Sequence, residues 1–279
     1  MKPDYKNWVP KEVLVLFTAC TCVSFILLAV FGIAGVGVSG TFRTVLSVLF
    51  ALFFIGFGAA AVLFLRWYRA FDYNGKRQMA RGIIEGTAKY VTLPSGGTGL
   101  DVGCGSGALT IACAKRNPQG TMLGVDPWGA EYRSFSKALC ENNAKAEGVS
   151  NVRFEKGNAV KLDFPDESFD AVTSNYVYHN ITGVNKQELL SETLRVLKKG
   201  GVFAIHDLMS RSRYGDMDAF VADLKAKGYE KIELIDTTQG MFMTPKEAKS
   251  LQLTGSTLLV GKNSFHILRG LCWRRKRTR

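Results

Sequence analysis

Two hydrophobic stretches dominate the front of the chain. No charged residue occurs between Glu12 and Arg43, and none between Arg43 and Arg66. Each stretch is longer than the about 20 apolar residues that a helix needs to cross a hydrocarbon core. The pattern predicts spans over about residues 13–37 and 42–65. Pro10-Lys11-Glu12 opens the first, which fades in the glycine-rich 32–40 stretch. Arg66-Trp67-Tyr68-Arg69 closes the second as an aromatic and basic interface anchor, and Trp8 is its counterpart before the first. A cleaved signal peptide would account for the first stretch, with its basic lead-in and its small residues near Gly37 and Ser39. It would still leave the second span in place. Two long uncharged runs in succession are also hard to hide as core helices in a chain of 279 residues.

Past residue 69 the periods shorten and alternate. Residues 69–91 read as an amphipathic helix after the Tyr73-Asn74-Gly75 turn, and Pro94-Ser95-Gly96-Gly97 as a loop into a first strand ending at Val102. Further strands are predicted over 122–126, 152–155, 171–174, 202–205, 231–235 and 256–260. The helices between them are predicted from 108 and over 131–146, 186–197 and 217–227. Strands alternating with helices imply an α/β, doubly wound, mostly parallel sheet covered on both faces. The chain thus divides into a hairpin (1–69), an α/β domain (70–263) and a tail (264–279). No internal repeat is visible.

The chemistry concentrates at Leu100-Asp101-Val102-Gly103-Cys104-Gly105-Ser106-Gly107, which reads as strand, tight glycine turn and helix. Such turns let a backbone approach a ligand closely and aim a helix N-terminus at it, in nicotinamide and flavin folds as well as in others. Asp101 separates the cases, because a carboxylate beside the turn repels a pyrophosphate and suits a cationic ammonium group. Asp126, about twenty residues on at the end of the second strand, stands where an acid can take ribose hydroxyls. Glu155-Lys156-Gly157-Asn158-Ala159, Phe169-Asp170-Ala171-Val172 and Leu194-Arg195-Val196-Leu197-Lys198-Lys199-Gly200-Gly201 follow in order.

Over roughly residues 71–262 the chain resembles the class I S-adenosylmethionine (SAM)-dependent methyltransferases, in their generic quinone- and sterol-like branch. Lys199 replaces the family's usual Pro. The Tyr-Asp-x-Met-Asn-Asp pattern of the menaquinone enzymes is absent, with Phe71-Asp72-Tyr73-Asn74 in that region. The resemblance implies a Rossmann-like, seven-stranded sheet whose last strand inserts antiparallel, with SAM as cofactor. By position it implies cofactor contacts at Tyr73, Asp101, Gly103, Cys104, Gly105, Gly107, Asp126, Pro127, Asn158, Ala159 and Asn175. Asn158 falls where the family places a polar residue on the adenine amine. Cys104 reads as a packed rather than a reactive thiol.

In open sheets of this kind ligands bind beyond the carboxyl ends of the strands. Two of the three histidines lie there, His179 in Asn175-Tyr176-Val177-Tyr178-His179-Asn180 and His206 in Ile205-His206-Asp207. His179 and His206 are candidate general bases, and Tyr178, or Tyr176, a candidate wall of the acceptor pocket. The same histidines also fit a purely structural role beside a helix start. Asp207 is placed to orient His206 or to meet an acceptor. No carboxylate cluster suited to Mg²⁺ is present, so no metal is expected.

The net charge is +12, and six basic residues fall within the last eleven, among the apolar Leu271, Cys272 and Trp273. Beside a membrane this tail suits anionic headgroups, each basic residue adding about 1 kcal/mol. A disordered soluble tail is the plain alternative. Nothing else reads as a nucleic-acid module, so nucleic acid is not an expected partner. Six cysteines without paired spacing give neither a disulfide framework nor a zinc signature. Lys2, Lys6 and Lys11 precede the first span, Arg43 alone joins the two, and Arg66, Arg69, Lys76, Arg77 and Arg81 follow the second. The positive-inside rule then predicts a multi-pass protein of the cytoplasmic (inner) membrane with its catalytic domain in the cytosol.

A membrane hairpin points to a lipophilic acceptor: a quinone-like ring, a lipid, or a hydrophobic thiol or phenol. A membrane protein or RNA as acceptor, and a SAM-binding sensor without transfer activity, are the other readings. Gly56 and Ala60 form a small-xxx-small pair that would serve oligomerisation, although packing against lipid explains it equally well.

Overall fold

The computed structural model describes residues 2–129 and 134–264. The basic tail with His266, and the start of the helix predicted over 131–146, lie outside the described residues. Pro10, extended at φ −61° and ψ 130°, leads directly into α1 (Lys11–Leu27), which continues as a π-helical turn over Leu28–Ile33. A short connection then enters α2 (Gly40–Phe71). Both segments are long and apolar enough to cross a membrane. Ring pairs Phe17–Phe64, Phe25–Phe54 and Phe31–Phe50 zip the two helices antiparallel. Their outer faces stay uncovered, Leu16 being 58% and Ile55 64% exposed.

The second helix of the hairpin ends later than the sequence expectation, and the first ends inside the glycine-rich stretch. The first helical segment stops at Ile33, where the Arg43 guanidinium closes it by donating to the carbonyls of Gly32 (2.8 Å) and Ile33 (2.5 Å). Four such carbonyls are left unpaired at any helix end, and Arg43 reaches two of them. The second helix runs past residue 65 to Phe71, because Trp67, Tyr68 and Phe71 dock on the α/β domain. The Tyr73-Asn74-Gly75 turn then separates α2 from the amphipathic helix expected after it. Asp72 accepts from the Asn74 N–H (3.0 Å), Gln78 turns left-handed at φ 48°, and α3 (Met79–Ala88) starts afresh.

The domain alternates as the periods predict: β1 (Thr98–Val102), α4 (Ala108–Arg116), β2 (Thr121–Asp126), α5 (Lys137–Ala146), β3 (Val152–Lys156), β4 (Phe169–Asn175), α6 (Lys186–Arg195) and β5 (Leu197–Leu208). It ends with the single turn α7 (Arg211–Tyr214), α8 (Met217–Ala226), β6 (Tyr229–Asp236), α9 (Pro245–Ser250) and β7 (Ser256–Asn263). The sheet order is β3-β2-β1-β4-β5-β7-β6, parallel except for β7, which runs antiparallel to both of its neighbours. This is the seven-stranded arrangement that the resemblance implies. Helix α9 was absent from the sequence reading, although Thr244-Pro245-Lys246-Glu247 carries a capping box in which Thr244 and Glu247 bond each other's backbone N–H.

Alternate side chains of the strands feed two cores. Leu100, Val102, Val172 and Ile205 face α6 and α8, while Met122, Phe154, Ala171 and Leu258 pack with α4 and α5. The strand order reverses between β1 and β4, and the crevice at that switch point is where an open sheet takes its ligand.

Candidate functional site

The glycine turn sits in this crevice. The N–H groups of Gly103 and Cys104 both donate to the Val125 carbonyl (2.8 and 3.0 Å), tying the turn to the end of β2. Gly103 adopts φ 74°, and a Cβ there would lie 2.4 Å from Val177, so only glycine lets the segment after β4 cross the turn. Gly105, at φ 54°, has open space where a Cβ would stand, and its N–H donates to Asp126 Oδ2 (3.0 Å). Asp126 Oδ1 accepts from the Trp128 N–H (2.8 Å), and the Trp128 indole N–H returns to the Gly105 carbonyl (3.0 Å). Trp128 was not among the sequence candidates. Its signal was an aromatic two residues past the acid that ends β2.

The remaining sequence candidates fall around this ring. Gly107 forms the cap of α4, and Pro127 is exposed beside Asp126. Asn158 is exposed at the end of β3 with its Oδ1 accepting the Val160 N–H (2.9 Å), whereas Ala159 is buried in the core. Asn175 ends β4 and holds the His206 ring (2.8 Å). Cys104 is buried, and burial pushes its thiol well above the ordinary range, so it packs. Tyr73 packs on the cluster containing Cys104 and meets the Tyr5 ring, tilted by 49°, at 4.5 Å, its hydroxyl pushed by burial up to about 12.

Asp101 tests whether this site suits SAM. It is 1% exposed, its hydrogen-bond partner is the Thr110 hydroxyl (2.6 Å), and among the described residues the charge that bears on it is another acid, Asp126. Burial first, and Asp126 with it, raise its pKa to about 7. A buried carboxyl without a cation beside it is a costly arrangement unless a ligand brings the cation. SAM carries two, a sulfonium and an ammonium. The open face of Gly105 and the ionisable pair Asp101–Asp126 therefore fit it.

At the ends of β4 and β5 three candidates separate. His179, in the one-turn helix Tyr178–Asn180, sets Nδ1 against Asp207 Oδ1 at 2.5 Å, and its backbone N–H donates to Asp207 Oδ2 (3.1 Å). Asp207 also accepts from the Tyr214 hydroxyl (2.9 Å) and the Leu208 N–H (2.6 Å). Burial alone would raise the Asp207 pKa, but the His179 hydrogen bond and charge with these two donors hold it below the ordinary value. An ionised Asp207 keeps the proton on Nδ1 and leaves the lone pair on Nε2.

The structure corrects the other two catalytic candidates. His206 is fully buried, with Nδ1 on Asn175 and Nε2 within 3.0 Å of both Thr237 Oγ1 and Ser256 Oγ. Burial lowers its pKa to about 3, so it is a neutral framework group with no nitrogen left for a substrate. Asp207 orients His179 and not His206. Tyr178 turns into the core with its hydroxyl on Thr193 (2.5 Å), and burial raises its pKa. Tyr176 takes the place expected of Tyr178. Held at φ 54°, it lies 4.7 Å from the His206 ring and 6.0 Å from that of His179. A non-glycine residue held there costs about 1–3 kcal/mol and is found where function needs the geometry.

The sequence also gave no sign that residues 4–9 belong to this site. The Asp4 N–H donates to Asn143 Oδ1 (2.7 Å), and Asn143 Nδ2 donates back to the Asp4 carbonyl (2.9 Å) and to that of Ser106 in the glycine turn (3.0 Å). The Tyr5 hydroxyl donates to Glu147 (3.1 Å), and Asn7 Nδ2 to the Tyr68 carbonyl (2.8 Å). Trp8 lies 5.3 Å from both the Phe71 and the Tyr176 rings.

Comparison with known proteins adds four findings. A family profile described as a methyltransferase domain matches residues 93–253. An uncharacterised methyltransferase of Anoxybacillus flavithermus is 28% identical over 189 residues, covering 65% of this chain and 81% of that protein. The demethylmenaquinone methyltransferase of Geobacillus stearothermophilus is 36% identical over 115 residues, covering 41% of this chain and 46% of its own length. Among solved structures, the [4+2]-cyclase SpnF shares the fold with a TM-score of 0.52 at 20% identity, covering 69% of this chain and 85% of that one.

Proposed function

The chain belongs to the methyltransferase-domain family and uses SAM; we propose that it methylates a hydroxyl or thiol of a lipophilic acceptor at a membrane, with His179 as general base. SAM, when bound, supplies a methyl group already activated on a sulfonium. The Asp101–Asp126 side of the crevice binds and orients that donor, with Trp128 closing it and Asn158 and Asn175 at its rim. The acceptor stands on the His179 side. As its oxygen or sulfur takes the methyl group, the proton it loses passes to Nε2, and Asp207 stabilises the imidazolium that forms. Holding both reactants in line is worth up to about 7–11 kcal/mol, and the base about 10²–10⁴ in rate.

The observation that carries the base assignment is the His179–Asp207 pair: among the described residues, His179 is the histidine with a carboxylate partner and an uncommitted Nε2. The two uncovered apolar helices support the membrane assignment. Docking of residues 4–9 on the α/β domain supports both ends of the hairpin lying on one side of the bilayer. With the basic residues at those ends, that side is the cytosol of a cytoplasmic membrane. In this division residues 1–69 anchor, 70–263 catalyse and 264–279 touch anionic headgroups. The likeness to a demethylmenaquinone methyltransferase supports a quinol-like acceptor.

The test is methyl transfer from labelled SAM into organic-extractable acceptor by full-length protein in detergent. His179→Ala is expected to lower kcat about 10²–10⁴-fold while leaving the SAM Kd within about twofold. Asp207→Asn is expected to lower kcat and to change its pH profile. Full activity in His179→Ala would remove the base from the mechanism.

A further inference from the structure

Aromatic rings lead from the apolar hairpin toward the candidate base in two groups, joined through one apolar cluster. Phe17 of α1 stacks on Phe64 of α2 at 5.2 Å, and Phe64 meets Trp67 at 5.1 Å. At the foot of α2, Phe71 meets Trp8 at 5.3 Å, Trp8 meets Tyr176 edge-on at 5.3 Å, and Tyr176 meets His179 at 6.0 Å. Trp8 stands just ahead of α1, at the level where an indole anchors a membrane interface. Two ring-to-ring steps therefore separate the headgroup level of a bilayer from the site of proton removal.

The seam is built, not incidental. Phe71, Met79, Ile83, Leu208, Met243 and Leu253 form one apolar cluster, against which Trp8, Phe64, Trp67 and Tyr176 pack. Tyr176, which packs on this cluster, also meets the His179 ring at 6.0 Å, so the cluster adjoins the His179 pair. The Trp67 indole is fixed by the Ser250 carbonyl (2.8 Å), and the Trp8 backbone lies between two anchored residues, Asn7 and Val9. Trp8 and Tyr176 are themselves only partly covered. A site that received its acceptor from water would gain nothing from an apolar seam continuous with lipid-facing helices.

From this placement we infer that the acceptor is a membrane-resident amphiphile that reaches His179 from the bilayer, its chain lying along Trp8 and Tyr176, with Trp8 selecting for that chain. The inference rests on the lipophilic-acceptor reading above and adds a route and a specificity-determining residue. The ring-bearing head, with its hydroxyl or thiol, lies against Tyr176 and reaches His179. The chain stays on the hairpin side, where it remains out of water.

The experiment compares 1-naphthol with 4-dodecyl-1-naphthol, which share a head and differ in the chain. Full-length protein in phosphatidylcholine–phosphatidylglycerol nanodiscs is titrated with each probe against empty nanodiscs, and methyl transfer from labelled SAM is followed in parallel. Trp8→Ala is expected to weaken the dodecyl probe about tenfold more than 1-naphthol, and Trp8→Phe to restore most of the difference. Equal weakening of both probes would show Trp8 to be structural, and no weakening of either would remove the seam from the route; each result overturns the inference. Chain-selective binding without transfer to either probe would keep the route and sink the proposed acceptor chemistry.

Discussion

Replacing Asp101 by Asn isolates the charge on which donor binding depends. In the ligand-free protein this carboxyl titrates at about 7 against an ordinary 3.8, raised chiefly by burial. The interval of about three pH units corresponds to about 4 kcal/mol. Because the folded value is the higher one, the folded chain keeps a proton that the unfolded chain has lost between about pH 4 and 7. The stability from that proton is complete below about pH 4 and is lost as the pH rises through 7. A cationic donor reverses the balance, since it holds the carboxylate ionised, so below pH 7 binding must expel the proton. SAM affinity should then rise up to about tenfold per pH unit from about pH 5 to 7 and level off above 7.5.

Calorimetry in buffers of different ionisation enthalpy should read close to one proton released per SAM at about pH 6 and almost none at about pH 8.5. Asp101→Asn should bind SAM about 10–100-fold more weakly at about pH 8, with the slope below pH 7 gone. Without ligand it should unfold at a higher temperature than the parent at about pH 8, gain less at about pH 5, and gain nothing below about pH 4. A parent protein that releases no proton, or a variant that keeps the slope, would refute the reasoning.

Two further substitutions probe the scaffold. Gly103→Ala places a methyl 2.4 Å from Val177 at φ 74°, and should cost about 2–3 kcal/mol of stability by thermal unfolding. Adding Val177→Ala should recover the steric part of that loss and leave the backbone part. Arg43→Gln removes the donors that close the first helical segment at Gly32 and Ile33, and should destabilise the hairpin by about 1–2 kcal/mol. The readout is protease cutting of the 34–39 connection in detergent, and an unchanged cutting rate would leave Arg43 without a capping role.

Features that depend on a few consecutive residues were legible in the sequence: the two apolar helices, the Asp101–Gly107 turn, Asp126 at the end of β2, and the alternation that builds the sheet. Each rests on a local period or on a backbone conformation few residue types allow, so nearby residues carry the information. The partner of Asp207 was not legible. His206 and Asp207 are neighbours on β5, and successive side chains on a strand leave by opposite faces, so adjacency in sequence separated them in space. His206 faces Thr237 and Ser256 of the antiparallel edge, while Asp207 faces the turn after β4, where His179 arrives.

Tyr176 and Tyr178 divide in the same way. The left-handed backbone at Tyr176 turns the chain so that one ring covers the site and the other enters the core. Residues 4–9 carry no local pattern at all, and their place beside the glycine turn depends on Asn143, 139 positions away from Asp4. The sequence by itself determined which groups the chain possesses and the elements that carry them. Which of those groups meet was decided by pairing across the sheet and by the docking of the hairpin's foot, because contacts between distant residues leave no trace in local spacing.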